Sequence, residues 1–217
     1  MKRPLTLLLQ RCWPWLLCLA LLLGVVFTPR PALALAEQEA VFAGGCFWCL
    51  EHDLETLPGV VDVESGYSGG HLDHPRYEQV SAGGTGHQEA VKVRFDPARM
   101  PYTTLLRAYW RNVDPLDGSG QFCDRGSSYR PVIFPQGQEQ QRQAQESLEA
   151  AALALQRPLQ ALQVAIQPLD RFWPAEDHHQ NYAERNPVSY AYYRWACGRD
   201  RRLDQVWGPQ ARSSAPW

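Results

Sequence analysis

The sequence predicts an α/β domain of the α+β kind, a two-layer sandwich with a mainly antiparallel sheet, helices on one face and long functional inserts. Two observations point there. Up to Phe134 the apolar residues follow strand-like or helical spacing in the order strand, helix, strand, strand, helix, strand. The inserts Gly66 to Gly86, Asp114 to Arg130 and Leu169 to Asn186 are long, glycine-rich and aromatic, and ordered inserts on a compact scaffold usually carry function.

Each element has its own signal. Ala40 to Ala43 is a short apolar strand running into Gly44-Gly45. From Cys46, the apolar residues Phe47, Leu50, Leu54 and Leu57 fall at helical spacing until Pro58-Gly59 stops the helix. Val60 to Glu64 is a second strand, and Val91, Val93 and Phe95 alternate with Lys92, Arg94 and Asp96 in a third with one buried face. Tyr102, Leu105, Leu106, Tyr109, Trp110 and Val113 mark an amphipathic helix, and Pro131 to Phe134 a short strand. Ala144, Leu148, Ala151, Ala152 and Leu155 give a further helix, and Leu162, Val164 and Ile166 a closing strand. The order through Phe134 is that of a ferredoxin-like sandwich.

Of the 217 residues, 45% are hydrophobic and 20% charged, a globular balance that argues against disorder, collagen and a polytopic membrane protein. The net charge of -2 comes from 21 basic and 23 acidic side chains without a basic stripe, so no nucleic-acid partner is expected. Residues 1–36 read as a signal peptide cleaved after Ala36. Lys2, Arg3 and Arg11 start it, an apolar run from Cys12 to Phe27 follows, and Ala34-Leu35-Ala36 is an A-x-A site. The alternative is an uncleaved membrane anchor. Residues 37–217 are then a single catalytic domain with an irregular C-terminal tail, exported to a periplasm, lumen or extracellular space, without stable membrane association, and monomeric. An oxidising compartment follows from export.

Cys46, Cys49, Cys123 and Cys197 remain in the mature chain. They allow two structural disulfides, although a domain of about 180 residues needs no staples to fold. Gly44-Gly45-Cys46-Phe47-Trp48-Cys49 is the sharpest motif: the glycines permit a tight turn and Cys46 opens the helix, where free N–H groups and the dipole favour a thiolate poised near neutral pH. A buried core cysteine is the alternative. Cys49 lies one turn further along the same face, as in a dithiol redox site. Half a zinc site is a weaker reading, because His178-His179 lacks the spacing of a second ligand pair. Glu89 opens the Val91 strand after a glycine-rich loop; beside Phe47 and Trp48, desolvation would raise its pKa, as a proton donor requires. That glycine run lacks the lysine of a phosphate-binding loop.

Taken together the motifs resemble the type A peptide methionine sulfoxide reductases. The likeness rests on Gly45-Cys46-Phe47-Trp48, Gly66-Tyr67-Ser68-Gly69-Gly70, Gly84-Thr85-Gly86-His87-Gln88-Glu89, Asp124-Arg125-Gly126-Ser127-Ser128-Tyr129-Arg130 and Glu176-Asp177-His178-His179-Gln180, and spans residues 40 to 208. The resemblance implies a peptide-methionine (S)-S-oxide reductase. In it Cys46 is the nucleophile, Glu89 the acid, Tyr77 and Tyr129 the hydroxyls on the sulfoxide oxygen, and Asp124 the residue that orients a water or polar group. Phe47 and Trp48 would cup the substrate methyl. Many members carry Gly in place of Cys49 and recycle through a C-terminal cysteine, and Asn is common where Cys123 stands. Cys49 is expected to resolve the sulfenic acid on Cys46, with Cys197 and Cys123 as alternatives.

The expected substrate is methionine sulfoxide, free or in proteins, and the expected reductant a thioredoxin-like dithiol, with no metal or organic cofactor. Two other readings stay open. One is an exported thiol-disulfide oxidoreductase using Cys46 and Cys49, and the other a disulfide-stapled binding module with an aromatic groove of Tyr67, Tyr77, Trp173 and Tyr182.

Overall fold

The structure is a computed structural model that describes residues 36–217; the signal segment lies outside the described residues. A six-stranded sheet has the order β7-β6-β1-β3-β2-β8. Its members are β1 Gln38–Ala43, β2 Val60–Ser68, β3 Gln88–Phe95, β6 Val132–Phe134, β7 Ala165–Ile166 and β8 Phe172–Pro174. A separate two-residue hairpin pairs β4 Gly120–Gln121 with β5 Asp124–Arg125. Every pairing in the large sheet is antiparallel except β6 with β7. The four inner strands β6-β1-β3-β2 give the ferredoxin-like order, as the sequence predicts.

Helices α1 Phe47–Glu55 and α3 Tyr102–Trp110 pack on one face. Their Leu50, Leu54, Leu105, Leu106 and Tyr109 join Ala40, Phe42, Val91, Val93 and Ile133 in the main core. The alternate β1 residues Val41 and Ala43 point the other way, into a small cluster with Ala90, Val132 and Phe134, the period of two expected of a strand. The long helix α4 Gly137–Ala154 adds Ala144, Ala151 and Ala152 to the main core, and its Ser147 accepts the Trp110 indole N–H at 2.9 Å.

Several segments differ from the sequence expectation. The second strand runs to Ser68 instead of stopping at Glu64, because it pairs with β3 through Ser68 and with β8 from Gly66 onward. Gly66 permits that approach: a Cβ there would lie 2.3 Å from the Trp173 carbonyl oxygen. The strand expected over Leu162 to Ile166 is only Ala165–Ile166. Beyond Ile166, where the sequence reading assigns no helix, the structure has helices α6 Pro187–Cys197 and α7 Arg199–Trp207 and the single turn α5 Tyr182–Arg185, and a further single turn, α2 Tyr77–Ser81, lies in the first insert. Pro187 opens α6, and Gly198, at φ 70°, ends it. Among the described residues no helix is long and apolar enough to cross a membrane.

Candidate active site

Two neighbouring strands deliver the central pair. β1 ends at Ala43, opposite Ala90 of β3, so the chain leaving β1 and the start of β3 meet at one end of the inner strands. Gly45 turns the chain there with φ 85°, and a Cβ on it would lie 2.7 Å from the Gln121 side chain. Cys46 is the residue before the first helical turn of α1 and its carbonyl accepts from Cys49 and Leu50. The Phe47 N–H, one of the helix's unpaired donors, donates to Glu89 Oε2 at 3.0 Å.

Glu89 is 2% exposed. Burial pushes its carboxyl up to about 8, with Asp124 and Cys49 adding to the rise and the Phe47 N–H and Tyr129 bonds opposing it. The group is therefore mainly protonated at neutral pH, next to the residue that follows Cys46. The Tyr129 hydroxyl also reaches Tyr77, whose ring packs 6.3 Å from Phe47. Burial raises both phenols, so they remain donors. The Asp124 carboxylate accepts the Tyr193 hydroxyl at 2.7 Å and lies near the Cys46 backbone N–H, with the Tyr193 hydroxyl also near the Cys46 thiol.

The expected neutral-poised thiolate at Cys46 is corrected here. Burial pushes the Cys46 thiol well above the ordinary range, and its bond to Cys49 and the nearby Glu89 push the same way, against the Tyr193 bond. Helix-start donors do not offset this, because the first of them is taken by Glu89. Cys49 is pulled down instead, first by its hydrogen bond from Cys46 and further by Arg199. The resting pair is thus a Cys46 thiol leaning on the more acidic Cys49.

Both sulfurs are free and buried, whereas Cys123 and Cys197 form a disulfide. The pair of structural disulfides in the binding-module reading is therefore not formed, and the two alternatives to Cys49 as resolving residue are bonded to each other. Trp48 is half-buried, with its indole N–H on His179 Nδ1 at 3.2 Å and its face stacked 3.7 Å from Tyr182. Phe47 is 1% exposed among Tyr67, Tyr77 and His179, so its ring is packed away and Trp48 supplies the more accessible apolar surface. Glu176 accepts the Tyr67 hydroxyl at 2.9 Å and the Tyr77 N–H at 3.0 Å, fixing both tyrosines.

Sequence reasoning missed Tyr193 and the supporting Glu176. The spacing of Tyr190, Tyr193 and Cys197 is helical, and that pattern carried the signal. Among the described residues the one cluster with metal-ligand chemistry is Cys123, Asp124 and Cys197, two of whose sulfurs are bonded to each other.

A buried dithiol facing a protonated carboxyl defines a thiol-dependent oxidoreductase. The family model for peptide methionine sulfoxide reductase matches residues 38–211. A peptide methionine sulfoxide reductase of Caulobacter vibrioides is 51% identical over 187 residues, covering 86% of this chain and 94% of that protein. One of Rhizobium meliloti is 44% identical over 185 residues, covering 85% and 91%. Among solved structures, methionine sulfoxide reductase A of Corynebacterium diphtheriae is similar with a TM-score of 0.66 and 30% identity, over 76% of this chain and 81% of that one. The chain belongs to the peptide methionine sulfoxide reductase family.

Proposed function

We propose that the chain reduces the S epimer of methionine sulfoxide, free or in proteins, through Cys46 and Cys49. The carrying observation is Glu89, buried, protonated at neutral pH and fixed by the Phe47 N–H beside Cys46. A sulfoxide sulfur is a poor electrophile until its oxygen is protonated or hydrogen-bonded. Tyr77 and Tyr129 supply the hydrogen bonds, Glu89 the proton, and Trp48 the apolar wall for the methyl group. Cys46 passes its proton toward Cys49 and its sulfur attacks. Methionine leaves with two electrons, and the oxygen stays on Cys46 as a sulfenic acid. Cys49 then attacks that sulfur, water departs, and a Cys46–Cys49 disulfide remains. A thioredoxin-like dithiol reduces it by exchange, becoming a disulfide itself.

Cys49 is supported as the resolving residue by its place one helical turn along α1 from Cys46 and by its free state. Export rests on the basic start, the apolar run and the A-x-A site at Ala34 to Ala36.

The test is to incubate the mature protein with dithiothreitol and each separated epimer of free methionine sulfoxide. Methionine is expected from the S epimer alone. Its absence from both overturns the reading.

A further inference from the structure

The Cys123–Cys197 disulfide joins residues 74 positions apart and lies beside the site without taking part in the steps above. Each of its ends adjoins a residue that touches the nucleophile. Cys123 precedes Asp124, whose carboxylate lies near the Cys46 N–H and accepts the Tyr193 hydroxyl. Cys197 stands four residues, about one helical turn, after Tyr193, whose hydroxyl donates to Asp124 at 2.7 Å and reaches the Cys46 thiol. The Cys123 N–H also donates to Cys197 Sγ at 3.1 Å.

The hairpin is otherwise held by buried Gln121, bonded to Asp114 in both directions at 2.8 Å, and by Arg125 on Asp117 at 2.6 Å, and neither contact reaches the helix that carries Tyr193. The hairpin β4–β5 has two residues per strand, and a hairpin of that size has no stability of its own. Phe122, just before Cys123, sits at φ 56°, a left-handed conformation that an aromatic residue rarely adopts. Helix α6 buries only Tyr190, leaving Val188 at 83%, Tyr192 at 69% and Trp195 at 75% exposure. It is also anchored by Arg194 on Asp53 at 2.8 Å and by Tyr193 on Asp124 at 2.7 Å.

We propose that the Cys123–Cys197 disulfide is a positioning clamp for the reductase chemistry: it ties the insert carrying Asp124 to the helix carrying Tyr193 and so holds both groups on Cys46. The proposal rests on the reductase reading. The groups that face Cys46 are Cys49, Glu89, Asp124, Tyr77 and Tyr193, and the clamp governs two of them. Losing it leaves the acid and the resolving thiol in place while the Tyr193–Asp124 pair beside the Cys46 thiol is loosened.

The experiment compares wild type, with Cys46 and Cys49 reduced and the clamp oxidised, with Cys123→Ser/Cys197→Ser in a quenched single turnover on free methionine sulfoxide. The first-turnover rate should fall about tenfold or more, as expected for a misplaced catalytic group, with little change in half-saturation. The pH midpoint for alkylation of Cys46 by iodoacetamide should move upward. Tyr193→Phe should reproduce both effects, and combining it with the double variant should add little, because the two changes remove one interaction. Fully reduced wild type should be slow and regain its rate on reoxidation of Cys123 with Cys197, which guards against a folding defect of the variant. An unchanged first-turnover rate overturns the clamp. So does a fully reduced wild type that releases two methionines per chain against one for the variant at equal first rates, since the pair is then an electron store. No methionine from any form overturns the reductase reading, and the clamp with it.

Discussion

Glu89 and Cys46 hold their protons for the same reason, burial, and this sets the pH behaviour of the reaction. The acid form of Glu89 is present below about pH 8 and is lost above it. With fixed substrate, kcat/KM should therefore fall as pH rises past 8. Glu89→Gln should lower turnover roughly 10²-fold, the scale for removing a positioned acid, and abolish that alkaline limb. Stopped assays from pH 5 to 10 check both, and an alkaline limb that survives in the variant assigns it to another group. Cys46→Ser should give no methionine at all, because serine has no accessible anion under these conditions. Trp48 offers a contrast with Trp110. The latter is fully buried in the core and its truncation should cost about 3–5 kcal/mol. Trp48→Ala should instead raise KM for methionine sulfoxide with a smaller loss in urea-unfolding free energy.

At the scale of elements, the start of α1 holds the thiol pair and β8 braces the pocket from outside. Cys49→Ser should still release one methionine in a single turnover but accumulate sulfenic acid on Cys46, detectable by dimedone labelling, and thioredoxin-driven turnover should stop. Gly66→Ala would push a Cβ into the Trp173 carbonyl and detach β8, with a stability loss of roughly 1–3 kcal/mol by the usual scale of overpacking. Detachment frees Glu176, and the KM should rise as Tyr77 loses its N–H partner. These same elements mark what could be read in the sequence. Alternation at Val91, Val93 and Phe95 and the Gly-Gly-Cys start of α1 were legible because local spacing determines them. β8 and the end of β2 were not, since Gly66 reads locally as a loop residue and its role appears only when a distant strand arrives. Helix α6 escapes a sequence reading for the opposite reason. Its helical spacing is present, but α6 is largely exposed, so the apolar stripe that announces a helix is thin.

For the whole molecule, buried carboxyls tie stability to pH. Burial, chiefly, lifts Glu51 to about 7 and Glu89 to about 8, both above the ordinary carboxylate value. The folded state thus binds these protons more tightly than the unfolded chain. Their contribution to stability is complete below the ordinary carboxylate pKa and is lost as pH rises through 7 and 8. Urea unfolding should show a free energy that declines from pH 5 to 8.5, and Glu51→Gln should flatten that slope. If residues 1–36 are a cleaved signal, N-terminal sequencing of exported protein should begin at Glu37. The pairing of Ala43 with Ala90 carries a last consequence. The interval between nucleophile and acid is measured off by backbone hydrogen bonds, as along a ruler, and not by the fit of side chains around it. Core residues can be exchanged for others of similar volume and the interval is kept; slip the ladder by one residue and Glu89 turns to the opposite face of the sheet. Catalytic spacing in this protein is a matter of strand register.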